Sequence, residues 1–266
     1  MTFKVLLTSL LTVASLTAKA AVTPAEPVDY VSTLVGTESK FELSTGNNYP
    51  AVAMPWGMNF WMPQTGKMGN GWAYVYSADK IRGFKQTHQP SPWINDYGQF
   101  SILPITGKPE FDQDKRASWF SHKAEIATPY YYRVYLADYD VVAELAPTER
   151  ACAMRFTYPE SDKSFVVAGN FKNFFVVKFD KPFTYKAAVA DGTVGEGKTE
   201  ATCNHAGAII GFQTKRGEAV NVQVASSFIS EEQALRNLGE LKDGCFDRIK
   251  AEGRKTWNNV LGKIEI

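Results

Sequence analysis

The second half of the chain alternates apolar and polar residues with a period of two. Within residues 151–158, Met154, Phe156 and Tyr158 fall on one face and Arg155 on the other, which predicts a half-buried β-strand. Similar short runs follow one another, separated by turn residues, and this arrangement predicts a large antiparallel β-sandwich rather than strands alternating with helices. The predicted strands span residues 130–136, 141–146, 151–158, 164–168, 174–179, 183–190, 208–214 and 220–226.

The pattern becomes helical after residue 229. Ser230 and Gln233 stand at the spacing of a capping box, which predicts a helix that opens there and continues through Leu241. A second helix is predicted over residues 245–261. We expect its apolar residues to form a stripe with no partner in the chain, and an exposed stripe favours association. The stripe consists of Phe246, Ile249, Trp257 and Leu261.

The first half is less regular. Residues 29–79 are rich in Gly, Asn and Pro, which predicts turns and short extended pieces, with one alternating strand at 73–76. Two strand-like runs follow, at 81–88 and 99–105. One predicted face of the first run carries Ile81, then either Gly83 or Phe84, and then Gln86. The opposite face carries Arg82, Lys85 and Thr87. Four aromatic residues precede these runs, namely Trp56, Phe60, Trp61 and Trp72. We expect most of them to lie in the core and one or two to face a pocket.

The loop between these two runs carries the candidate chemistry. Pro90 and Pro92 restrict the backbone and remove hydrogen-bond donors, so the loop should be stiff and unpaired. An aromatic ring beside a carboxylate and an amide suits a sugar, whose C–H face stacks on the ring while the polar groups bind its hydroxyls. The candidate substrate-binding residues here are His88, Trp93, Asn95 and Asp96, with Trp72 as a second aromatic candidate.

Each of these residues also has a structural interpretation. Asp96 could cap a turn through its own backbone, Trp93 could fold back onto the core, and His88 could be a hydrogen-bonded structural residue. Together they place more recognition groups in one loop than a simple connection requires, and loops on a rigid scaffold commonly carry function.

The first twenty residues have the pattern of a secretory signal peptide. Lys4 supplies positive charge, residues 5–16 are mostly apolar, and Ala18 and Ala20 form a small-residue cleavage site. The apolar run is shorter than the roughly 20 residues that a membrane-spanning helix needs. We therefore expect a leader over residues 1–20, export to the periplasm or the medium, a sandwich domain over 21–229, and linker helices over 230–266.

Composition narrows the possible partners and ligands. The net charge of +1 gives no reason to expect nucleic acid or a membrane surface as a partner. Cys152, Cys203 and Cys245 are widely spaced without a CxxC pair, so we expect no metal site from them. One disulfide with a thiol left over, or three buried thiols, both fit this count.

Several short motifs follow one another along the chain: Val35-Gly36-Thr37, Gly46-Asn47-Asn48-Tyr49-Pro50, Val52-Ala53-Met54-Pro55-Trp56-Gly57-Met58, Arg82-Gly83-Phe84, Thr87-His88 and Asp96-Tyr97-Gly98. Taken in this order, they resemble the amino-terminal domain of glycoside hydrolase family 92, whose members are inverting, calcium-dependent exo-α-mannosidases. The resemblance covers most of the chain after the leader and extends to Trp257 and Ile264. It implies a galactose-mutarotase-like supersandwich followed by helices that lead to, and pack on, an (α/α) catalytic domain.

The resemblance also implies how functions are divided. The family's general acid, general base and most calcium ligands belong to the helical domain, so we assign no catalytic residue and no metal ligand to this chain. What it implies here is recognition of mannose-containing glycans, with Asp96, His88, Trp93 and Arg82 forming one wall of the sugar site. Whether the chain is an enzyme is left open, and we expect a truncated product that does not catalyse hydrolysis alone.

Three functional hypotheses follow. The chain is the amino-terminal portion of an exported α-mannosidase, a free-standing carbohydrate-binding sandwich, or a structural or adhesion sandwich in which Trp93 and Asp96 only shape a turn. A reading frame that continues downstream into a helical domain would favour the first.

Overall fold

A computed structural model describes residues 25–38, 48–66, 74–87, 100–170, 173–241 and 245–264. The described chain is mainly β, with three short 3-10 segments at Pro27–Tyr30, His122–Ala124 and Gly239–Leu241. Its two α-helices are α1 (Glu231–Leu238) and α2 (Phe246–Leu261). Its strands are β1 (Phe60–Gln64), β2 (Lys80–Ile81), β3 (Gly83–Thr87), β4 (Phe100–Thr106), β5 (Ser118–Trp119), β6 (Ile126–Thr128), β7 (Tyr131–Leu136), β8 (Val141–Pro147), β9 (Ala151–Tyr158), β10 (Ser161–Asn170), β11 (Phe174–Phe179), β12 (Tyr185–Ala190), β13 (Thr193–Glu196), β14 (Ala206–Thr214) and β15 (Glu218–Ser227).

These strands form two large antiparallel sheets and one small one. The larger sheet has seven strands in the order β1-β3-β4-β10-β14-β12-β13, and the second has six in the order β11-β15-β9-β8-β7-β6. Strands β2 and β5 pair separately. The prediction of a mainly β fold with large antiparallel sheets, followed by helices, is confirmed.

The main core lies between the two large sheets. Phe84 from β3 meets Tyr132 from β7 and Phe156 from β9, with ring centroids 6.1 and 6.4 Å away. Alternation places side chains of each strand on opposite faces, and in β9 Met154, Phe156 and Tyr158 are buried in this core as the sequence pattern predicted.

The other face of the six-stranded sheet is covered by the carboxy-terminal helices. Phe246 and Ile249 are buried in a second apolar cluster with Tyr131 and Ala153. The indole N–H of Trp257 donates to the Ala53 carbonyl at 2.9 Å. The expectation that the apolar stripe of α2 lacks a partner is therefore wrong, because the stripe packs on the sheet of its own chain.

Polar contacts reinforce this packing. Arg155 on β9 pairs with Glu144 on β8 at 2.7 Å and with Asp247 on α2 at 3.0 Å. Arg254 pairs with Asp29 of the first 3-10 segment at 2.5 Å. Helix α2 is thus fastened both to the sheet and to the start of the described chain.

Other local predictions had mixed outcomes. Ser230 caps α1 by accepting a hydrogen bond from the Gln233 amide at 3.1 Å, as predicted. The strand predicted at 73–76 is wrong, because the described residues 74–76 pair with no strand. All three cysteines are free thiols and only Cys152 is buried, so neither proposed arrangement is correct.

Two predictions about regions of the chain remain predictions. The leader at residues 1–20 lies outside the described residues, and the domain boundary at residue 229 stays a prediction. Within the described part of the chain, no helix has the length and apolar character needed to span a bilayer.

Candidate functional site

Arg82 is the one predicted substrate-binding residue that the described ranges include. It lies between β2 and β3, and its backbone N–H donates to the Gln64 carbonyl at 2.7 Å. Its side chain pairs with Asp114 at 3.0 Å and donates to the Thr65 carbonyl. The guanidinium thus joins β1 to the turn at Asp114, and its role in sugar binding stays a prediction.

A second arginine supports this position from inside the fold. Arg116 is almost fully buried and donates to the carbonyls of Arg82 at 3.2 Å and Phe111 at 3.1 Å. Burial lowers the pKa of Arg116 to about 10, which leaves it charged near neutral pH. The backbone at Arg82 is therefore held from both sides.

The other five predicted residues, His88, Trp93, Asn95, Asp96 and Trp72, lie outside the described residues. The described residues on either side of the predicted loop show which strands it connects. Residues 88–99 connect β3 to β4, whose ends pair at Gln86 and Phe100. The predicted recognition loop therefore joins two adjacent strands of the seven-stranded sheet.

A cavity that sequence reasoning missed opens at this same end of β3. Its volume is about 240 Å³, and it lies between the end of β15 in one sheet and the β1–β3 end of the other, with α1 alongside. We call it the mouth cavity. Its lining residues include Asn59, Gln86, Ser227, Phe228, Gln233 and Asn237.

Hydrogen bonds hold several polar side chains of the mouth cavity in place. The Asn237 amide donates to the Ser226 carbonyl at 2.9 Å and accepts from Gln233 at 2.9 Å. Asn59 accepts from the Trp61 indole at 3.2 Å. These contacts fix side chains that could otherwise rotate, as a preorganised binding site requires.

Gln86 differs from these residues. Its side chain is only 2% exposed, yet neither its amide nitrogen nor its amide oxygen has a hydrogen-bond partner among the described residues. Buried polar groups in folded proteins are nearly always paired. The predicted alternation had placed Gln86 on the face of Ile81 and either Gly83 or Phe84, but it did not indicate a cavity there.

Two apolar side chains that precede β1 in the chain are exposed. Trp56 is 90% exposed and has a positive φ of 63°, a conformation that bulky residues rarely adopt. Met58, two residues later, lines the mouth cavity and is also exposed. Of the four early aromatics, Trp61 is buried in the core, and Phe60 is half-buried against a small apolar cluster. Trp56 faces solvent, and Trp72 lies outside the described residues.

A half-buried histidine beside a buried carboxylate, elsewhere in the fold, has the residue types of an acid–base site. Glu125 accepts from the Tyr132 hydroxyl at 2.5 Å and lies 2.5 Å from Nδ1 of His122. However, Nε2 of His122 is already bonded to the Tyr76 carbonyl at 2.7 Å, and the His122 ring stacks on Tyr76. Both ring nitrogens of His122 are therefore already hydrogen-bonded within the protein. The cluster joins the 3-10 segment at His122–Ala124 to strand β7 and to the loop that contains Tyr76.

The second buried carboxylate, Glu144, is also fully engaged. Burial raises its pKa, but hydrogen bonds from Arg155 and Tyr131 outweigh burial and hold the pKa below its usual value. Both carboxylates therefore act as structural acceptors. Among the described residues that line the mouth cavity, none carries a carboxylate.

Comparison with known proteins gives the family context. Residues 30–169, more than half of the chain, match the glycosyl hydrolase family 92 N-terminal domain. None of the curated proteins compared with the chain matches it. Among solved structures, an inverting mannosidase of family GH92 from Bacteroides thetaiotaomicron VPI-5482 is 38% identical with a TM-score of 0.86.

That similarity covers 90% of this chain and 37% of the mannosidase, so the chain spans just over a third of its relative's length. A second family GH92 α-mannosidase from Bacteroides thetaiotaomicron is 28% identical with a TM-score of 0.77 over 90% of this chain and 38% of its own. It has also been solved in complex with mannoimidazole. A third structure, a family GH92 glycosyl hydrolase, is 24% identical with a TM-score of 0.78 over 91% of this chain and 38% of its own, a likeness of fold.

Proposed function

The chain belongs to glycosyl hydrolase family 92 through its N-terminal domain, and we propose that it is the substrate-recognition portion of an exported α-mannosidase acting on terminal α-mannosidic bonds of glycans. The observation that carries this proposal is the family match over residues 30–169. The 38% identity to an inverting mannosidase over 90% of the chain supports the choice of mannose as the sugar.

In this proposal the chain recognises the sugar and does not itself catalyse. Asp96 and Asn95 bind hydroxyls, Trp93 stacks on the ring, and His88, Arg82 and Trp72 complete the wall. The buried carboxylates Glu125 and Glu144 accept hydrogen bonds from Tyr132 and Arg155, and we assign them structural roles in this proposal.

Calcium belongs to the proposed whole enzyme. The described residues contain no cluster of three or more His, Cys, Asp or Glu side chains that could hold a metal ion. We propose that most of the calcium ligands of the whole enzyme come from the helical domain. Recognition of the sugar by the loop residues does not depend on the ion in this proposal.

We also propose a surface for that helical domain. The apolar face of α2 is occupied by the sheet, so contact would use other faces, such as the exposed side of α1 that carries Leu235. The apolar face of α2 and the outer face of the six-stranded sheet already cover each other. This mutual burial favours a second candidate function, a free-standing carbohydrate-binding module.

Calorimetric titration of the full chain with methyl α-mannopyranoside tests recognition. We expect saturable binding, with methyl α-glucopyranoside weaker because one hydroxyl is inverted. Equal binding of both sugars would argue against mannose recognition, and binding of neither would overturn the proposal. Calcium and a chelator are compared in separate titrations, since the proposal expects the chain's own affinity to be the same in both.

A further inference from the structure

Strand β11 has one side that pairs with no described strand. It stands at the end of the six-stranded sheet, and its hydrogen-bonded neighbour there is β15. The N–H of Asp180, directly after β11, donates to the Asn221 carbonyl of β15 at 3.1 Å. Backbone groups of successive residues in an antiparallel strand point to opposite sides. The N–H and C=O groups of Phe175, Val177 and Phe179 therefore point to the open side of β11.

The other described edges of the two large sheets are protected in ways that β11 is not. In β1, Pro63 has no backbone N–H, and Trp61 already exchanges hydrogen bonds with Val52. Strand β6 has three residues, and β13 has four, among them Gly195 and Glu196. Strand β11 has six residues, five of them apolar, and contains neither Pro nor Gly. An edge of this length and composition is a template for pairing with another strand.

The inner face of the seven-stranded sheet is incompletely covered beside β11. Phe179 of β11 meets Phe212 of β14 with ring centroids 5.3 Å apart, so even-numbered residues of β14 face the six-stranded sheet. On that face Ala208 and Ile210 of β14, and Ala188 of β12 opposite Ala208, are only half-buried. No described strand of the six-stranded sheet follows β11. A strand added at the open side of β11 would extend that sheet over this face.

Strand β11 complements a second copy of itself around a two-fold axis. If Val177 lies opposite Val177 of the second copy, Phe175 lies opposite Phe179, and the backbone groups on both open sides are paired. Lys178 then lies opposite Val176, which avoids the direct contact of like charges that destabilises a sheet. A shift of two residues either places Phe179 opposite a residue outside the strand or places the two Lys178 side chains opposite each other.

We propose that two copies of this chain form a symmetric dimer in which their β11 strands pair antiparallel about Val177 and join the two six-stranded sheets. A two-fold interface uses the same surface on both copies and is the commonest arrangement of protein dimers. The pairing also brings Phe175 and Phe179 of each copy over the inner sheet face of the other, where Ala188 and Ala208 leave room for large side chains. This inference does not depend on the proposed function.

A proline substitution in the full chain tests the pairing. Val177→Pro removes an N–H that the dimer uses, while no hydrogen bond to β15 is lost. The matched control is Val194→Pro in β13. Gly197, directly after β13, donates its N–H to the Lys186 carbonyl of β12, so the N–H of Val194 points to the open side of its own sheet. Sedimentation equilibrium over a range of concentrations measures association, and thermal melts measure folding.

We expect the wild-type chain and Val194→Pro to form dimers. Val177→Pro should fold and have a dissociation constant raised at least about tenfold, because each copy loses a hydrogen bond between chains. A wild-type chain that is monomeric at every concentration overturns the proposal. A dimer that Val177→Pro leaves intact, or one that only Val194→Pro dissociates, also overturns it, because the interface then lies elsewhere.

Hydrogen exchange of the wild-type chain gives a second readout, which decides the matter if Val177→Pro does not fold. At concentrations where the dimer is populated, the amides of Phe175, Val177 and Phe179 should exchange as slowly as the amides paired with β15. The Val194 amide should exchange rapidly under the same conditions. Rapid exchange of the three β11 amides in a populated dimer would show that this edge remains open, and would overturn the proposal.

Discussion

Trp56 occupies a backbone conformation that its side chain disfavours. Its φ is 63° and its ring is 90% exposed. A left-handed conformation costs a bulky residue roughly 1–2 kcal/mol, and an exposed ring contributes little burial in return. We therefore expect Trp56→Gly to raise the free energy of unfolding by up to about 1 kcal/mol, measured by urea denaturation.

Trp56→Ala is the matched control, because it removes the ring but keeps a Cβ in the same conformation. It should leave stability unchanged or slightly lower. If both variants lose stability equally, the ring contributes packing that its exposure conceals, and that packing outweighs the backbone strain.

The predicted loop carries the second residue-scale prediction. Losing hydrogen bonds to a charged acceptor costs about 1.5–3 kcal/mol, so Asp96→Ala should lower mannoside affinity roughly ten- to a hundredfold, since about 1.4 kcal/mol is tenfold. Titration measures the affinity, and the Tm should stay near that of the wild type. Asp162→Ala, an exposed aspartate in β10, is the control that should change neither.

A lower Tm with normal affinity would instead make Asp96 a turn cap, the structural interpretation that the sequence left open. In an assembled enzyme the same substitution should lower kcat/KM by a similar factor, because the contact to the sugar persists into the transition state.

At the scale of residues, the sequence predicted burial better than it predicted the cavity. The alternation in β9 predicted the buried residues correctly, because one face of the strand lies in the main core and Arg155 on the other face remains partly exposed. In β3 every residue is buried, so alternation cannot show which side holds an empty space. Gln86 is recognisable only when β15 and α1, distant in the chain, are placed beside it.

Helix α2 belongs to the fold through its buried face. Phe246 is 4% exposed, lies edge-on to Tyr131 at 6.3 Å, and has the Arg155 guanidinium 4.4 Å above its ring. Phe246→Ala should lower the free energy of unfolding by about 3–5 kcal/mol, measured by urea denaturation. Ile264→Ala, at a residue 77% exposed, should change it by less than about 0.5 kcal/mol.

A loss below about 1 kcal/mol for Phe246→Ala would mean that α2 contributes little to folding. The same packing reverses an expectation from the sequence. Deleting the chain from Ser230 onward should increase association in light scattering, because it uncovers Tyr131 and Ala153 on the outer sheet face.

Acid should weaken the attachment of α2 to the start of the chain. A hydrogen bond from Arg254, and then one from the Glu26 amide, lower the pKa of Asp29 to about 2 from 3.8. A lowered folded-state pKa gives stability that is present above the unfolded value and lost as pH falls through the folded value. We expect Asp29→Asn to lower the Tm at pH 6, with the difference from wild type disappearing between about pH 4 and pH 2.

Glu252→Gln is the control for this experiment, because its partner Arg248 lies within the same helix at 2.8 Å. Its loss should leave the docking of α2 intact and produce a smaller change in Tm at pH 6. A Tm difference for Asp29→Asn that persists unchanged at pH 2 would contradict the assigned cause. Added salt should shrink the effect, since the Asp29–Arg254 pair is exposed.

At the scale of elements, long regular runs were predicted well and short ones poorly. The strands at 151–158 and 174–179 coincide with β9 and β11. Strand β13 has four mostly exposed residues and was missed, because an exposed edge strand shows little apolar contrast. Residues 74–76 alternate like a strand but pair with no described strand. The burial of Tyr74 comes from a small cluster with Tyr49 and Met62.

The packing of α2 could not be predicted either, for a reason that belongs to the whole molecule. An amphipathic helix shows that it has a partner but not which surface provides it. Here the partner face is made by Ala146, Ala151, Ala153 and Ala225, small residues whose pattern does not distinguish a helix-covered sheet face from an ordinary one.

The last prediction concerns the activity of the whole chain. Inverting hydrolysis needs two carboxylates about 6.5–9.5 Å apart on either side of the scissile bond. The buried carboxylates Glu125 and Glu144 are bonded to Tyr132 and Arg155, and the described lining of the mouth cavity offers no carboxylate. We therefore expect the purified chain to bind methyl α-mannopyranoside but to release no mannose from α-mannosides during prolonged incubation, with calcium or with a chelator.

A full-length family GH92 mannosidase assayed in parallel controls for substrate quality, and product is measured by chromatography. Calcium-dependent release of mannose by the chain alone would place a catalytic carboxylate pair within it. That result would overturn the proposed division, in which the sandwich recognises the sugar and another domain catalyses hydrolysis. Binding without release, together with weakened binding in Asp96→Ala, would support that division, because recognition would then depend on residues of the sandwich while hydrolysis required groups from another domain.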